Sequence, residues 1–275
     1  KCLACIVPKF KEEQIGEVVA KLAQLVLDGK PEVRDIYATC LKGLITELPP
    51  TEAGSVYKMV LPRMLTGINN CSIEIKEECS DVLLELLKIF GTQRAADLLH
   101  DQTVNTLMGV LSGQIQSTPS LRKKAIACIG VCSVVMNDRS LDQLLKLLLT
   151  GVQAAKEDYI RCSATVARHV GFRLGGHVNL MADLFFKICD KASDDVNMAD
   201  DDDSGAGNHR EVELIDLCLG AFESFVKNSV KEFDVHCAQN GLLCSLVQKL
   251  LSYDPNSYGD VDDDFEDFDE DDFED

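Results

Sequence analysis

The segment from Asp200 to Glu211 is the part of the sequence that comes closest to a metal-binding template. The side chains of Asp200, Asp202, Ser204, Gly205 and Glu211 occupy positions 1, 3, 5, 6 and 12 of an EF-hand-like loop. In such loops carboxylates ligate calcium and the glycine allows a sharp turn. However, position 8 is a glycine instead of an apolar residue, and runs of aspartate match this template by composition alone. We therefore predict a solvated acidic loop and no metal site, with calcium binding as the alternative.

The twelve cysteines are the other residues that could do chemistry. Cys2 and Cys5 form the only CxxC pair, and no second pair stands at zinc-ligand spacing. Cys2, Cys40, Cys128 and Cys218 occupy nearly equivalent positions on predicted helices, which is typical of small buried hydrophobes in a reducing compartment. No Ser–His–Asp grouping, dinucleotide-binding fingerprint or phosphate-binding loop stands out. The sequence thus predicts a protein that is not an enzyme and uses no cofactor.

An apolar helix that recurs along the chain organises the fold. In residues 30–50 the apolar side chains follow one helix face, with a proline in the first turn and two prolines at the end. Related helices begin near Val33, Ile75, Leu121, Ile160 and Val212, at steps of 42, 46, 39 and 52 residues. Another apolar helix precedes each of them, predicted at residues 15–27, 56–68, 104–115, 141–152 and 178–191. A period near 40 built from two helices predicts an all-α HEAT or armadillo-type solenoid, whose units stack to bury their apolar faces.

Small or apolar side chains stand seven residues after each of these helix starts. We expect them to let the neighbouring helix approach closely, because a short side chain leaves room between two helix axes. They are Cys40, Val82, Cys128, Ala167 and Leu219.

The formal net charge of −19 is distributed unevenly. Residues 260–275 contain 12 acidic and no basic residues, which leaves about −7 (−19 + 12) for the rest of the chain. An acidic chain repels phosphate backbones, so we expect no nucleic acid partner and protein partners with basic surfaces. No stretch of about 18 uncharged apolar residues exists, so no membrane partner is expected. Phe265, Phe268 and Phe273 interrupt the acidic segment, which is interpreted as a solvating tail or, alternatively, as a short docking motif.

Basic residues at the starts of the recurring helices are the candidates for contact with other molecules. The turn that ends in Val33-Arg34 has the HEAT-type pattern in which an aspartate, here Asp28, and an arginine bridge neighbouring repeats. Two roles stay open for these basic residues, a structural ladder along one side of the stack or direct contact with a partner. With the charged residues beside them, the predicted partner-binding residues are Arg34, Asp35, Lys76, Glu77, Arg122, Lys123, Lys124 and Arg161.

The predicted array occupies residues 1–259 and consists of about six helical hairpins, with an acidic loop insertion at residues 193–210. Residues 260–275 are predicted as a disordered acidic segment. Residues 1–10 match the second helix of a repeat whose first helix is missing, and the sequence has no initiator methionine. We therefore expect a fragment of a longer protein, with fraying at both ends of the array.

Three strings of the sequence resemble the N-terminal part of the cullin-associated NEDD8-dissociated protein family. They are RDIYATCLKGLITELPP, AFESFVKNSVKEF and LLSYDPNSYGDVDDD, and their order and spacing agree with that family over essentially the whole chain. Proteins of this family are much longer, so the resemblance implies an amino-terminal arc. The loop at residues 193–210 departs from the shorter loop of the family.

The resemblance implies a HEAT-repeat clamp that wraps an unneddylated cullin bound to its RING-box subunit. In the family, the amino-terminal arc covers the lysine that accepts the ubiquitin-like modifier, and the other arc competes with substrate-receptor adaptors. The implied function is the non-enzymatic exchange of substrate receptors during SCF-type ubiquitin ligase assembly, by a monomer within a cullin complex. Cytoplasm is the expected localisation, with the nucleus as a second site. The alternatives are a HEAT-repeat nuclear transport receptor and another protein-interaction scaffold, such as a phosphatase scaffold.

Overall fold

The computed structural model describes residues 12–48, 51, 53–90, 97–154, 156–197, 206–234 and 241–251. These residues form twelve α-helices and one 3₁₀ turn at Gly171–Leu174, and contain no strand. The helices are α1 Glu12–Asp28, α2 Pro31–Glu47, α3 Ala53–Asn70, α4 Ile73–Phe90, α5 Asp97–Ser112, α6 Pro119–Val135, α7 Asp138–Gln153, α8 Glu157–Val170, α9 His177–Asn197, α10 Ala206–Asn228, α11 Val230–Phe233 and α12 Leu242–Leu251.

The helices pack as five consecutive hairpins, α1 with α2 through α9 with α10, and the hairpins stack in chain order. The even-numbered helices α2 to α10, here called the second helices, each pack on the next second helix. The first helices α1, α3, α5, α7 and α9 form the other layer. This two-layer stack confirms the predicted HEAT-type α-solenoid, in which each unit covers the apolar face of its neighbour.

Prolines, a capping threonine and a glycine explain where the helices begin and end. Pro31 and Pro119 stand in the first turns of α2 and α6, where a missing N–H leaves no hydrogen bond unmade. Thr118 caps α6 by accepting a bond from the Leu121 amide at 3.1 Å. The predicted helix at residues 104–115 is too long, because Gly113 has a φ of 83° and the Ile115 amide closes the end on Gly109.

Aliphatic side chains fill one continuous core, and its C-terminal part is aromatic. Leu41, Leu44 and Ile45 of α2 are fully buried, and each such side chain contributes about 1.5–3 kcal/mol of hydrophobic stabilisation. In the fifth hairpin, Phe185 of α9 and Phe225 of α10 are fully buried and their rings stack at 6.3 Å. The described helices include none with the length and hydropathy needed to cross a membrane.

The fifth repeat departs from the sequence predictions in two places. The predicted acidic loop at 193–210 is narrower, because α9 continues to Asn197 and α10 begins at Ala206. Lys249 of α12 pairs with Asp190 and Asp194 at 2.7 Å each, which stabilises the last turns of α9. Leu219 was expected to face a neighbouring helix but is 37% exposed. Its equivalents are covered by the next second helix, and α10 is the last second helix in the described part of the chain.

Several predictions lie outside the described residues. They concern the incomplete repeat at 1–10, the Cys2–Cys5 pair, residues 200–205 of the calcium-like segment and the acidic segment 260–275. The remaining half of the calcium-like segment, residues 206–211, belongs to the first turns of α10.

Thiol labelling is expected to follow the burial of the cysteines. Burial raises the pKa of the Cys79 and Cys132 thiols to about 12, and Cys244 is exposed. Because the thiolate is the reactive form, Cys244 should react fastest with iodoacetamide at pH 8 among the described cysteines, as measured by mass spectrometry. Cys79 and Cys132 should react only after addition of denaturant. Labelling of Cys132 in the native protein at the rate of Cys244 would contradict this placement.

Candidate partner-binding surface

The second helices pack more closely than the first helices, and this difference fixes the accessible surfaces of the stack. A groove of about 440 Å³ separates α3 from α5, and one of about 180 Å³ separates α5 from α7. Between the second helices, Gly130 of α6 lies so close to α8 that a Cβ there would be 2.8 Å from the Thr165 methyl group. The surface that α2, α4, α6, α8 and α10 form together is here called the second-helix face.

Three ion pairs join successive second helices along this face. Lys124 of α6 reaches back to Asp81 of α4 at 3.0 Å. Arg122 of α6 reaches forward to Asp158 of α8, with 2.8 Å between Nε and Oδ2. These bridges cross from one repeat to the next, so the predicted ladder exists between α4, α6 and α8.

Arg161 forms the third bridge and is the best-connected cation of the ladder. Its guanidinium lies 2.5 Å from Glu213 of α10 and 2.7 Å from Glu157 of its own helix. The side chain is only 15% exposed. Hydrogen bonds that the Arg161 guanidinium donates to Glu213 and Glu157 raise its pKa above the usual value. Arg161 therefore stays charged and ties the fourth repeat to the fifth.

Lys76 and Glu77 join the second repeat to the third through the loop that precedes α6. The Lys76 ammonium is buried and donates a hydrogen bond to the Gln116 carbonyl oxygen at 3.1 Å. The Thr118 hydroxyl donates to the Glu77 carboxylate while capping α6. Both side chains therefore hold the start of α6 against α4.

Arg34 differs from its counterparts in the later repeats. Its guanidinium donates to the Gly29 carbonyl oxygen at 2.8 Å, inside the turn of its own hairpin. Asp28 accepts a hydrogen bond from Gln24 one turn earlier in α1. The expected Asp28–Arg34 bridge between repeats is thus wrong for the first hairpin, where both residues stabilise local structure instead.

Asp35 and Lys123 are the two predicted partner-binding residues that project into solvent. They lie on α2 and α6, next to residues that face the stack. The other six have contacts within or between repeats. The structure thus separates the eight residues into two exposed side chains and six that fix the positions of helices or turns.

Sequence reasoning missed a further cation that links repeats, Arg173 in the 3₁₀ turn. Its guanidinium donates to the Val134 carbonyl oxygen at 2.8 Å and to Asp138 at 2.9 Å. It also bonds the Met136 carbonyl oxygen, so it closes the C-terminal end of α6. The glycines flanking its turn, Gly171 and Gly175, were the available signal that a special backbone shape occurs there.

Removing Arg161 is expected to loosen the fifth repeat. Arg161→Met should lower the free energy of unfolding by about 1–2 kcal/mol, because it leaves two carboxylates without their shared cation. Lys146→Met is the matched control, since Lys146 is 68% exposed and pairs with Asp142 on its own helix. The control should cost at most about 0.5 kcal/mol in urea denaturation. Equal costs for the two variants would contradict the bridging role.

The chain is a HEAT-type α-solenoid, a class of protein-binding scaffolds, because its helical hairpins stack in chain order and ion pairs join their second helices.

No family model matches the chain. It is 29% identical over 267 residues to cullin-associated NEDD8-dissociated protein 1 of Arabidopsis thaliana, an alignment that covers 93% of this chain and 20% of that protein. It is also 29% identical over 272 residues to cullin-associated NEDD8-dissociated protein 2 of Mus musculus, covering 96% and 20%.

A third relative, cullin-associated NEDD8-dissociated protein 1 of Drosophila melanogaster, is 27% identical over 271 residues, covering 96% of this chain and 20% of that protein. The chain is therefore a homologue of the cullin-associated NEDD8-dissociated proteins over nearly its whole length, which confirms the resemblance seen in the sequence. It spans about a fifth of the length of the curated relatives it matches.

Proposed function

We propose that this chain is part of a non-enzymatic scaffold that binds unneddylated cullin–RING-box complexes and promotes exchange of substrate receptors in SCF-type ubiquitin ligase assembly. One observation carries the proposal: relatives named for their association with cullins match 93% or more of the chain. The chain then corresponds to the amino-terminal arc of a longer clamp, and acts as a monomer within the cullin complex in the cytoplasm or nucleus.

The second-helix face supports this function physically. Solenoids bind partners along such extended surfaces, and shape and charge complementarity replace a deep pocket. Exposed carboxylates of Glu32, Asp35 and Glu74 lie on α2 and α4. They favour a partner with a basic surface, in line with the net charge of −19.

The eight predicted residues take two roles in this proposal. Asp35 and Lys123 contact the partner, because their side chains are exposed. The other six act indirectly, by fixing the spacing and curvature of the helices that form the face. These positioning residues are Arg34, Lys76, Glu77, Arg122, Lys124 and Arg161.

Reversing the charge of Lys123 separates partner contact from folding. Among the described residues Lys123 forms no ion pair, so Lys123→Glu should change the free energy of unfolding by less than about 0.5 kcal/mol. We propose that Lys123 contacts a local acidic patch on a partner surface that is otherwise basic, so the same variant should weaken binding to a bare cullin–RING-box complex by about threefold to tenfold and alter its salt dependence. Lys58→Glu, at an exposed lysine on the first helix α3, is the matched control. If the Lys123 variant bound the cullin–RING-box complex with unchanged affinity, the proposed contact of Lys123 with the partner would be contradicted.

Isothermal titration calorimetry with purified cullin–RING-box complexes tests the proposed function. The chain is titrated into the bare complex and, side by side, into the complex that carries the ubiquitin-like modifier. Saturable binding to the bare complex that disappears on modification is the expected result. Equal binding to both complexes, or no binding to the bare complex by the chain or by a full-length homologue, would contradict the proposal.

A further inference from the structure

Two neighbouring grooves on the side of the first helices meet at one residue. The wider groove, about 440 Å³, lies between α3 and α5, and the narrower one, about 180 Å³, lies between α5 and α7. Asn105 of α5 lines both of them. We call the two grooves together the Asn105 groove. It extends across three successive first helices.

The Asn105 groove carries almost no charge. Seven described residues line its wider part, and none of them is charged. Asp101 is the one charged residue among the eight described residues that line the narrower part. Charged residues make up 27% of the whole chain, so this lining differs from the rest of the protein. An anionic ligand finds no counter-ion here and a cationic one finds only Asp101, so the groove favours uncharged ligands.

Three side-chain amides at the Asn105 groove form no hydrogen bond with the part of the chain that the structure describes. They belong to Gln102 and Asn105 of α5 and to Gln143 of α7, and all three side chains are exposed. Each amide offers two N–H donors and one carbonyl acceptor. Their donors are therefore available to the carbonyl oxygens of a bound main chain, which can be recognised without any charged side chain.

Hydrogen bonds between the first helices hold the Asn105 groove in shape. The Asn69 amide of α3 donates to the Thr106 hydroxyl of α5 at 3.3 Å. The Ser140 hydroxyl of α7 donates to the Asp101 carboxylate of α5 at 3.1 Å. Both bonds cross from one helix to its neighbour, so they fix the spacing of the helices before a ligand arrives. Such preorganisation lowers the free-energy cost of binding.

Apolar side chains line both parts of the groove. Leu65 of α3 lies in the wider part and Leu144 of α7 in the narrower part, and both are largely buried. Pro62 lies in the wider part and is exposed, and Leu147 lies in the narrower part and is 49% exposed. Each part can therefore take an apolar side chain of a ligand, with Asn105 between the two.

The spacing of the two parts suits a polyproline II segment. The backbone of such a segment has no internal hydrogen bonds, so its carbonyl oxygens are free to accept. It has three residues per turn and a rise of about 3.1 Å per residue, so side chains on one face are about 9.3 Å apart. Helices in contact lie about 8–10 Å apart, so neighbouring grooves are separated by a similar distance.

We propose that the Asn105 groove binds an uncharged, proline-rich segment of another protein in the polyproline II conformation, with an apolar residue at every third position. Two such residues occupy the two parts of the groove. The amides of Gln102, Asn105 and Gln143 donate hydrogen bonds to main-chain carbonyl oxygens of the segment. The groove belongs to the first helices, so this interaction leaves the second-helix face free and does not rest on the proposed cullin function.

Nuclear magnetic resonance of the ¹⁵N-labelled chain tests the proposal through the side-chain amide signals. The probe is a blocked peptide of about twelve residues built from Pro-Pro-Val repeats, which places a valine at every third position of a polyproline II helix. The titration is repeated with Asn105→Ala and with Gln143→Ala. Asn70→Ala is the matched control, because Asn70 is an exposed amide of α3 that does not line the groove. Peptides of the same length built from Pro-Pro-Lys and Gly-Ser-Val repeats are the ligand controls.

The expected result is a saturable shift of the side-chain amide signals of Gln102, Asn105 and Gln143, with no shift at Asn70. Each groove variant should weaken binding by about threefold to tenfold, because it removes a hydrogen bond to the peptide main chain. The control variant should bind as the unaltered chain does. The flexible Gly-Ser-Val peptide should bind at least about tenfold more weakly, because binding must first order its backbone.

Three results would overturn the proposal. The first is the absence of saturation up to about 2 mM Pro-Pro-Val peptide, or signal shifts confined to other helices. The second is an unchanged affinity in both groove variants. The third is equal binding of the Pro-Pro-Lys peptide, because the interaction would then be a general attraction of a cation to an acidic chain.

Discussion

Replacing Phe225 with alanine is expected to lower the free energy of unfolding by about 3–5 kcal/mol, the largest loss among the substitutions considered. Phe225 is fully buried, and its ring centroid lies 5.8 Å from Phe233 and 6.3 Å from Phe185 and Phe222. These rings belong to α9, α10 and α11, so the cavity left by alanine cannot be filled by movement of one helix. Urea denaturation followed by circular dichroism at the helix band measures the loss.

Leu147→Ala is the control for the loss of apolar side-chain atoms. Leu147 lies on α7 and is 49% exposed, so this substitution should cost less than about 0.5 kcal/mol. If Phe225→Ala cost no more than this control, the aromatic cluster would not hold the fifth hairpin together.

The second large effect is expected at Gly151, near the end of α7. A Cβ at this position would lie 1.9 Å from Cδ1 and 2.2 Å from Cγ of Tyr159, a largely buried residue of α8. The tyrosine ring would have to move against the core, so Gly151→Ala should destabilise the chain by about 2–3 kcal/mol. Thermal denaturation monitored by circular dichroism is a sufficient measurement.

Gly43 of α2 is the matched control for Gly151, because the same substitution is expected to stabilise the chain there. A Cβ there would meet no heavy atom within 4 Å. Because alanine loses less backbone entropy than glycine when it becomes helical, Gly43→Ala should stabilise the chain by about 0.5–1 kcal/mol. A stabilising Gly151→Ala would mean that α7 and α8 are farther apart than described.

The helical hairpins could be predicted from the sequence because their signals are local. Apolar spacing, first-turn prolines and the Thr118 cap all act within one or two helical turns, and each of the recurring helix starts falls inside an observed helix. The error at residues 104–115 arose because Ile115 continues the apolar pattern after Gly113 has ended the helix. Side-chain contact of Ile115 with the core was mistaken for helical backbone.

The contacts of the candidate site could be predicted only in part, because they depend on residues in other repeats. Arg34 and Arg161 occupy the same register position, yet Arg161 has Glu213 within reach and Arg34 bonds the turn of its own hairpin. Glu213 lies 52 residues after Arg161, in a helix whose position depends on the stacking of two hairpins. The position of a residue relative to its helix start therefore predicts the side of the stack on which it lies, but not the residue with which it pairs.

Hydrogen–deuterium exchange of the chain, alone and with a bare cullin–RING-box complex, tests most directly that the second helices form the partner-binding face. Binding should slow exchange in peptides from α2, α4, α6 and α8, and leave α3, α5 and α7 unchanged, because the second-helix face is covered while the grooves between first helices stay open. Protection confined to the first helices, or no change in any helix at saturating complex, would contradict this account.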